Sequence, residues 1–128
     1  MYGGSRAFAT AAISIFLAVS VTTSAEAGKA DVVGVKVVVE GGGSYRFEVT
    51  VKSDDRGWEK YADKWEVLAP DRRVLATRVL LHPHEDEQPF TRDLGGVAIP
   101  ADIKEVIVRA HDKVEGWGGA EVKAAIPR

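Results

Sequence analysis

The 128-residue chain contains no cysteine, and its single methionine is Met1. The first absence excludes disulfides, a thiolate nucleophile and a blue-copper site, whose defining ligand is a cysteine. The second leaves no thioether for a Cu(I) chaperone site once Met1 is gone. There is no excess of basic residues either, since 17 Lys and Arg stand against 19 Asp and Glu for a formal net charge of −2. A nucleic-acid footprint needs a basic face, and the mixed charges here are those of solvated strand faces. Long hydrophobic runs are also missing. The longest, from Ala7 to Val21, spans about 15 residues against the ~20 a membrane helix needs.

What stands around that run is a leader. Arg6 precedes it, and Ala25-Glu26-Ala27 follows it as an A-x-A site. A basic n-region, a short apolar core and small residues at the cut define a secretory signal. Residues 1–27 are therefore read as a signal peptide and residues 28–128 as one domain, exported to a periplasm or secreted, with no membrane span in the mature chain. No cysteine follows Ala27, so lipid attachment at that junction is excluded. Arg6 and Glu26 cancel, so removing the leader leaves the net charge unchanged. A core of about 100 residues must then hold by packing and hydrogen bonding alone.

The mature chain alternates with period two. In "SYRFEVTVK", Tyr45, Phe47, Val49 and Val51 share one face, and Arg46, Glu48, Thr50 and Lys52 the other, the pattern of a half-buried strand. "VVGVKVVVE" places Val33, Val35, Val37 and Val39 together, and "GGGS" closes a hairpin. Trp65 and Val67 alternate with Lys64 and Glu66. In the return arm "RVLATRVLL", Leu75, Thr77, Val79 and Leu81 are assigned the core face, with Arg78, Leu80, His82 and His84 opposite. "PFTRDLGGVAIP" reads as a short strand and a turn. In "KEVIVRAHD", Val106, Val108 and Ala110 face one way, and Glu105, Ile107, Arg109 and His111 the other. "IPADIKE" allows one helical turn at most, and "AEVKAAI" closes the chain as a strand. About seven short strands and no amphipathic helix predict an all-β fold, a single antiparallel immunoglobulin-like β-sandwich. Trp58 and Trp65 are its expected aromatic anchors, and Trp117 in "EGWGG" is expected to cover one end.

The strand count and spacing resemble fibronectin type III and related immunoglobulin-like modules. "GWEKYADKWEVLAPD", "RVLLHPHEDEQPF" and "VRAHDKVEGWGG" resemble a family of small exported bacterial proteins of uncharacterised function. That resemblance implies export and a compact β domain, and it supplies no catalytic residue.

Few residues offer chemistry. The only serines after the leader are Ser44, in a glycine turn, and Ser53, at a strand end. Neither has a nucleophile frame. "EGGGSY" and "EGWGG" match no phosphate-binding loop. Glu85, Asp86 and Glu87 are consecutive and do not face each other as a glycosidase pair must. The remaining motif is His82-Pro83-His84. In an extended chain residues i and i+2 project to one side about 6–7 Å apart, and Pro83 stiffens the pair. With His111 as a third imidazole and Glu85 or Asp86 as an oxygen donor, this set suits Cu(II) or Zn(II). The sequence thus gives two readings. One is a non-enzymatic binding module whose partner is another protein or a second copy, with no cofactor. The other is a copper- or zinc-binding accessory protein using His82, His84, His111 and Glu85.

Overall fold

The computed structural model describes residues 28–128, so the leader assigned to residues 1–27 lies outside the described residues. Seven strands form an immunoglobulin-like sandwich. They are β1 (Asp31–Gly41), β2 (Ser44–Lys52), β3 (Ala62–Leu68), β4 (Val74–Val79), β5 (Phe90–Ala98), β6 (Glu105–Asp112) and β7 (Val122–Ala125). One sheet has the order β1-β2-β5 and the other β4-β3-β6-β7, with every pairing antiparallel. Where an antibody constant domain lays its fourth strand on the first sheet, β4 here pairs with β3 on the second.

The core is what the period-two pattern requires. Tyr45, Phe47, Val49 and Val51 of β2 are buried and face Trp65 and Val67 of β3 and Val106, Val108 and Ala110 of β6 in one apolar cluster. "IPADIKE" makes only a tight turn, in which the Ile103 amide donates to the Pro100 carbonyl at 3.0 Å.

Four assignments are corrected. First, a register shift between Val32 and Gly34 interrupts β1, so Val32 is buried and Val33 is exposed. A single extra residue inverts every side chain before it. Second, β4 faces the other way. Its pairing sets Arg78 and Ala76 opposite Trp65 and Val67, so the alanine and the arginine stem face inward. Val79 and Leu81 are 55% and 73% exposed while Leu80 is 2% exposed. The register on β3 decides this, since it sets Val79 opposite Lys64 on the outer face. Third, Gly95-Gly96 is no turn. β5 runs through it with a bulge, Gly96 taking φ 67°, a conformation that costs glycine nothing. Fourth, Trp65 is a buried anchor but Trp58 is 62% exposed.

The antiparallel order sorts the connections into two ends. Asp31 pairs with Lys52, Val51 with Phe90, and Ala62 with Asp112. The β2–β3, β4–β5 and β6–β7 loops therefore share one end with Gly28. The β1–β2, β3–β4 and β5–β6 turns occupy the other.

Candidate functional site

The loop end is held together by two aspartates outside the candidate metal set. Asp55 sits in the β2–β3 loop and is almost fully buried. Its Oδ1 accepts from the Ala62 amide at 3.0 Å and the Ser53 hydroxyl at 2.7 Å. Its Oδ2 accepts the His84 amide at 2.8 Å, which ties the β4–β5 loop to the β2–β3 loop. Asp112, at the end of β6, is fully buried. Its Oδ1 accepts from the amides of Val114 and Glu115, and its Oδ2 from the Lys60 ammonium at 2.7 Å. Lys60 also donates to the Gly28 carbonyl at 2.6 Å. The signal that could have marked both is an aspartate at a strand end or in the loop just after it, ahead of a turn, where a carboxylate satisfies loop amides.

Each residue of the candidate metal set can now be placed. His82 is exposed, and its Nδ1 lies 2.9 Å from the Pro83 carbonyl. His84 is 5% exposed and stacks on Phe90, with centroids 4.0 Å apart and planes at 11°. The His82 and His84 rings stand 4.6 Å apart, so the His-Pro-His motif does bring two imidazoles together. Both ring nitrogens of His84 are buried without a hydrogen-bond partner. Burial pulls the His84 pKa below its ordinary value, the nearby charges of Arg92 and His82 lower it further, and Asp55 and Glu87 oppose them. The expectation that both motif histidines lie opposite the core face is overturned for His84, whose face of the β4 arm turns inward.

His111 is engaged elsewhere. Its Nδ1 lies 2.7 Å from Asp63 Oδ1, and its ring meets Trp117 edge-on at 4.6 Å. Glu85 and Asp86 are exposed, while Glu87 forms a two-point pair with Arg92 at 3.0 and 3.4 Å. That bond holds the Glu87 carboxyl below its usual range. Among the described residues no group of three or more His, Cys, Asp or Glu is placed to hold a metal ion. A cavity of about 90 Å³ beside the motif is lined by Arg78, Leu80, Leu81, His82, His84 and Arg92. Of its two guanidinium groups, Arg92 is paired with Glu87 and Arg78 donates to the Asp93 and Val79 carbonyls.

Trp117 does not cap the end. It lies half-buried on the outer face of β6, with the Arg109 guanidinium 3.9 Å from its ring centroid and Lys64 Nζ at 5.5 Å. The aromatic group left open is Trp58. Its ring meets Tyr61 edge-on at 5.8 Å, and its carbonyl accepts from Lys113 Nζ at 2.8 Å. Val114, in the β6–β7 loop of the same end, is 60% exposed.

No protein-family model matches the chain. No solved structure matches it. Among curated proteins, a protein of Halomicrobium mukohataei named "Putative lipoprotein" is 41% identical over 100 residues, covering 77% of this chain and 48% of the relative. The chain thus spans about half the length of that relative. Among the described residues no helix is long and apolar enough to cross a membrane.

Proposed function

We propose that the protein is a non-enzymatic exported binding module that recognises a protein partner through its loop end. The observation that carries the reading is Trp58, a 62% exposed indole on a loop whose backbone is fixed by Asp55, Lys60 and Lys113. The Arg56 amide donates to the Lys60 carbonyl at 2.7 Å and the Lys113 amide to the Tyr61 carbonyl at 2.9 Å. An aromatic side chain on a pinned loop loses little freedom on binding, and tryptophan and tyrosine dominate interface energetics. Exposed aromatics on the loops of a rigid sandwich are how such folds carry recognition. Export is supported by the leader and by the name of the relative.

Site-specific photocrosslinking tests this. A photoreactive residue at position 58 should give a discrete adduct in the producing cells, and one at Asp71, at the opposite end, should give none. Equal labelling from both positions, or none from 58, overturns the reading.

A second reading, copper or zinc binding, rests on the 4.6 Å approach of His82 and His84 and the unpartnered nitrogens of His84. It predicts stoichiometric Cu(II) uptake that is lost in His82→Ala and in His84→Ala and weakens as pH falls through about 6.5. Absence of calorimetric binding in the wild type ends it. The engagement of His111 with Asp63, which leaves the pair without its expected third imidazole, makes partner recognition the better supported of the two.

A further inference from the structure

The three connections at the loop end, residues 53–61, 80–89 and 113–121, are bonded to one another, and the β2–β3 loop is joined to both of the others. Toward the β4–β5 loop, Asp55 holds the His84 amide. Gln88 Oε1 accepts the Ser53 amide at 2.8 Å, and its Nε2 donates to the Ser53 hydroxyl at 3.1 Å. Toward the β6–β7 loop, the Lys113 amide meets the Tyr61 carbonyl and its ammonium the Trp58 carbonyl. Single exposed apolar residues are ordinary, but their placement here is not. The three most exposed large apolar side chains among the described residues are Leu81, Trp58 and Val114, one on each loop. Charge is as unevenly placed. These loops hold eight acidic and three basic residues, whereas the turns at the other end, residues 42–43, 69–73 and 99–104, hold two acidic and three basic. All three bases of the loops are engaged. Arg56 pairs with Asp54 and Lys60 with Asp112, both at 2.7 Å, and Lys113 donates to the Trp58 carbonyl. Glu59, Glu85 and Asp86 are exposed, and their carboxylates have no hydrogen bond or ion pair among the described residues. The uncompensated charge of the loop end is therefore negative, and Glu59 adjoins Trp58 itself.

We propose that all three loops contact the partner at once, and that the partner is a protein presenting a basic segment, Lys and Arg set around apolar side chains. This rests on the reading of the loop end as a recognition surface and names the chemistry that surface takes. Leu81, Trp58 and Val114 supply the apolar contacts, and Glu59, Glu85 and Asp86 the charged rim. An apolar centre within a polar rim is the usual anatomy of a protein interface, and complementary charge sets orientation and speeds encounter. The same charge opposes the other occupants. Anionic lipid headgroups and nucleic-acid phosphates are repelled by it, and a second copy docking by this end would bring like charges together.

The test extends the photocrosslinking to the other two loops. The full chain, with a photoreactive residue at position 58, 81 or 114 in turn, is expressed in the producing cells. All three positions should give an adduct with the same partner. No adduct from position 58 overturns the recognition reading itself. An adduct from 58 with none from 81 and 114 leaves that reading standing and overturns this proposal. Mass spectrometry of the digested adduct should find the partner's cross-linked segment richer in Lys and Arg than in Asp and Glu. An acidic segment, a lipid adduct or an adduct with a second copy of this chain overturns the proposal. The charge is tested by reversing Glu85→Lys together with Asp86→Lys. Both side chains are exposed and unbonded, so the circular dichroism spectrum should not change. Adduct yield from position 114 should fall by about tenfold, the lower end of what electrostatic steering contributes. Asp71→Lys with Asp102→Lys makes the same change of net charge at the other end and should leave the yield as it was. An undiminished yield in the first variant, or an equal loss in the second, overturns the proposal.

Discussion

At the scale of single residues, the most informative group is His84. Two nitrogens are buried without a partner, and an unsatisfied buried polar group costs about 1–3 kcal/mol. The ring is held by what surrounds it, with Phe90 stacked on one side and His82 near it. Because burial lowers its folded-state pKa, followed by Arg92 and His82 and against Asp55 and Glu87, the unfolded chain takes up the proton first on acidification. The stability linked to its neutral form is fully present above the unfolded value of about 6.5 and is lost as pH falls through that value toward the lower folded one. The melting temperature should therefore drop between about pH 7.5 and 5.5, a window above the range where the Glu87–Arg92 pair titrates. His84→Phe keeps the stacked ring and removes both unpaired nitrogens. It should flatten that slope and raise stability at neutral pH by about 1 kcal/mol. An unchanged slope in the variant places the acid sensitivity elsewhere. Asp112 is the complementary case. It is fully buried and satisfies Lys60, Val114 and Glu115 at once. Asp112→Ala leaves the Lys60 ammonium without its carboxylate and should lower stability by about 3–5 kcal/mol in urea titration.

At the scale of elements, the β2 face carries the core. Phe47 is fully buried, and Phe47→Ala should lose about 3–5 kcal/mol. A loss under about 1 kcal/mol would contradict its place between the sheets. The junction of β1 with the last loop is as constrained. A Cβ on Gly119 would stand 2.7 Å from the Ala30 carbonyl carbon and 2.8 Å from Asp31 Oδ1. That same Asp31 oxygen accepts the Ala120 amide at 2.7 Å. Gly119→Ala should lower the midpoint of thermal unfolding, whereas Gly43→Ala should act through backbone conformation alone, having open space at its Cβ but φ 82°. These elements also show which parts of the fold the sequence discloses. β2, β3 and β6 were legible because their inward residues, Tyr45 to Val51, Trp65 and Val67, and Val106 to Ala110, recur with period two against mainly polar neighbours. β4 was not, because both faces carry aliphatics. The choice between Val79 and Leu80 is made by the register of β4 on β3, which sets Arg78 opposite Trp65 and Val79 opposite Lys64, a relation between strands that no local pattern contains. The first turn of β1 was misread because a bulge adds one residue without changing composition. At the loop end, the His-Pro-His motif was legible as an approach of two rings. The roles of Asp55 and Asp112 were not, because they depend on amides 7 and 29 residues away for one and on a lysine 52 residues away for the other.

At the scale of the whole molecule, the sandwich separates its tasks. One end holds short turns, and the other gathers three loops, both aspartate anchors, the open indole and the start of the described chain. That start bears on export. Gly28 is the first residue after Ala25-Glu26-Ala27, and the fold uses it at once. Its carbonyl receives Lys60, Lys29 Nζ donates to the carbonyls of Glu115 and Trp117, and Ala30 is fully buried. Processing beyond Lys29 would remove a core residue and the bonds that tie the start of β1 to the loop end. Processing after Ala27, as the sequence predicts, would spare them all. The exported protein should therefore begin at Gly28, or within a residue of it, as read by mass spectrometry of the intact product. A product beginning at Met1 or Tyr2 would overturn the assignment of residues 1–27 as a signal peptide. A chain shortened to start at Asp31 should lose stability, because the Lys60 ammonium is then left to Asp112 alone and the site of Ala30 becomes a void beside Gly119.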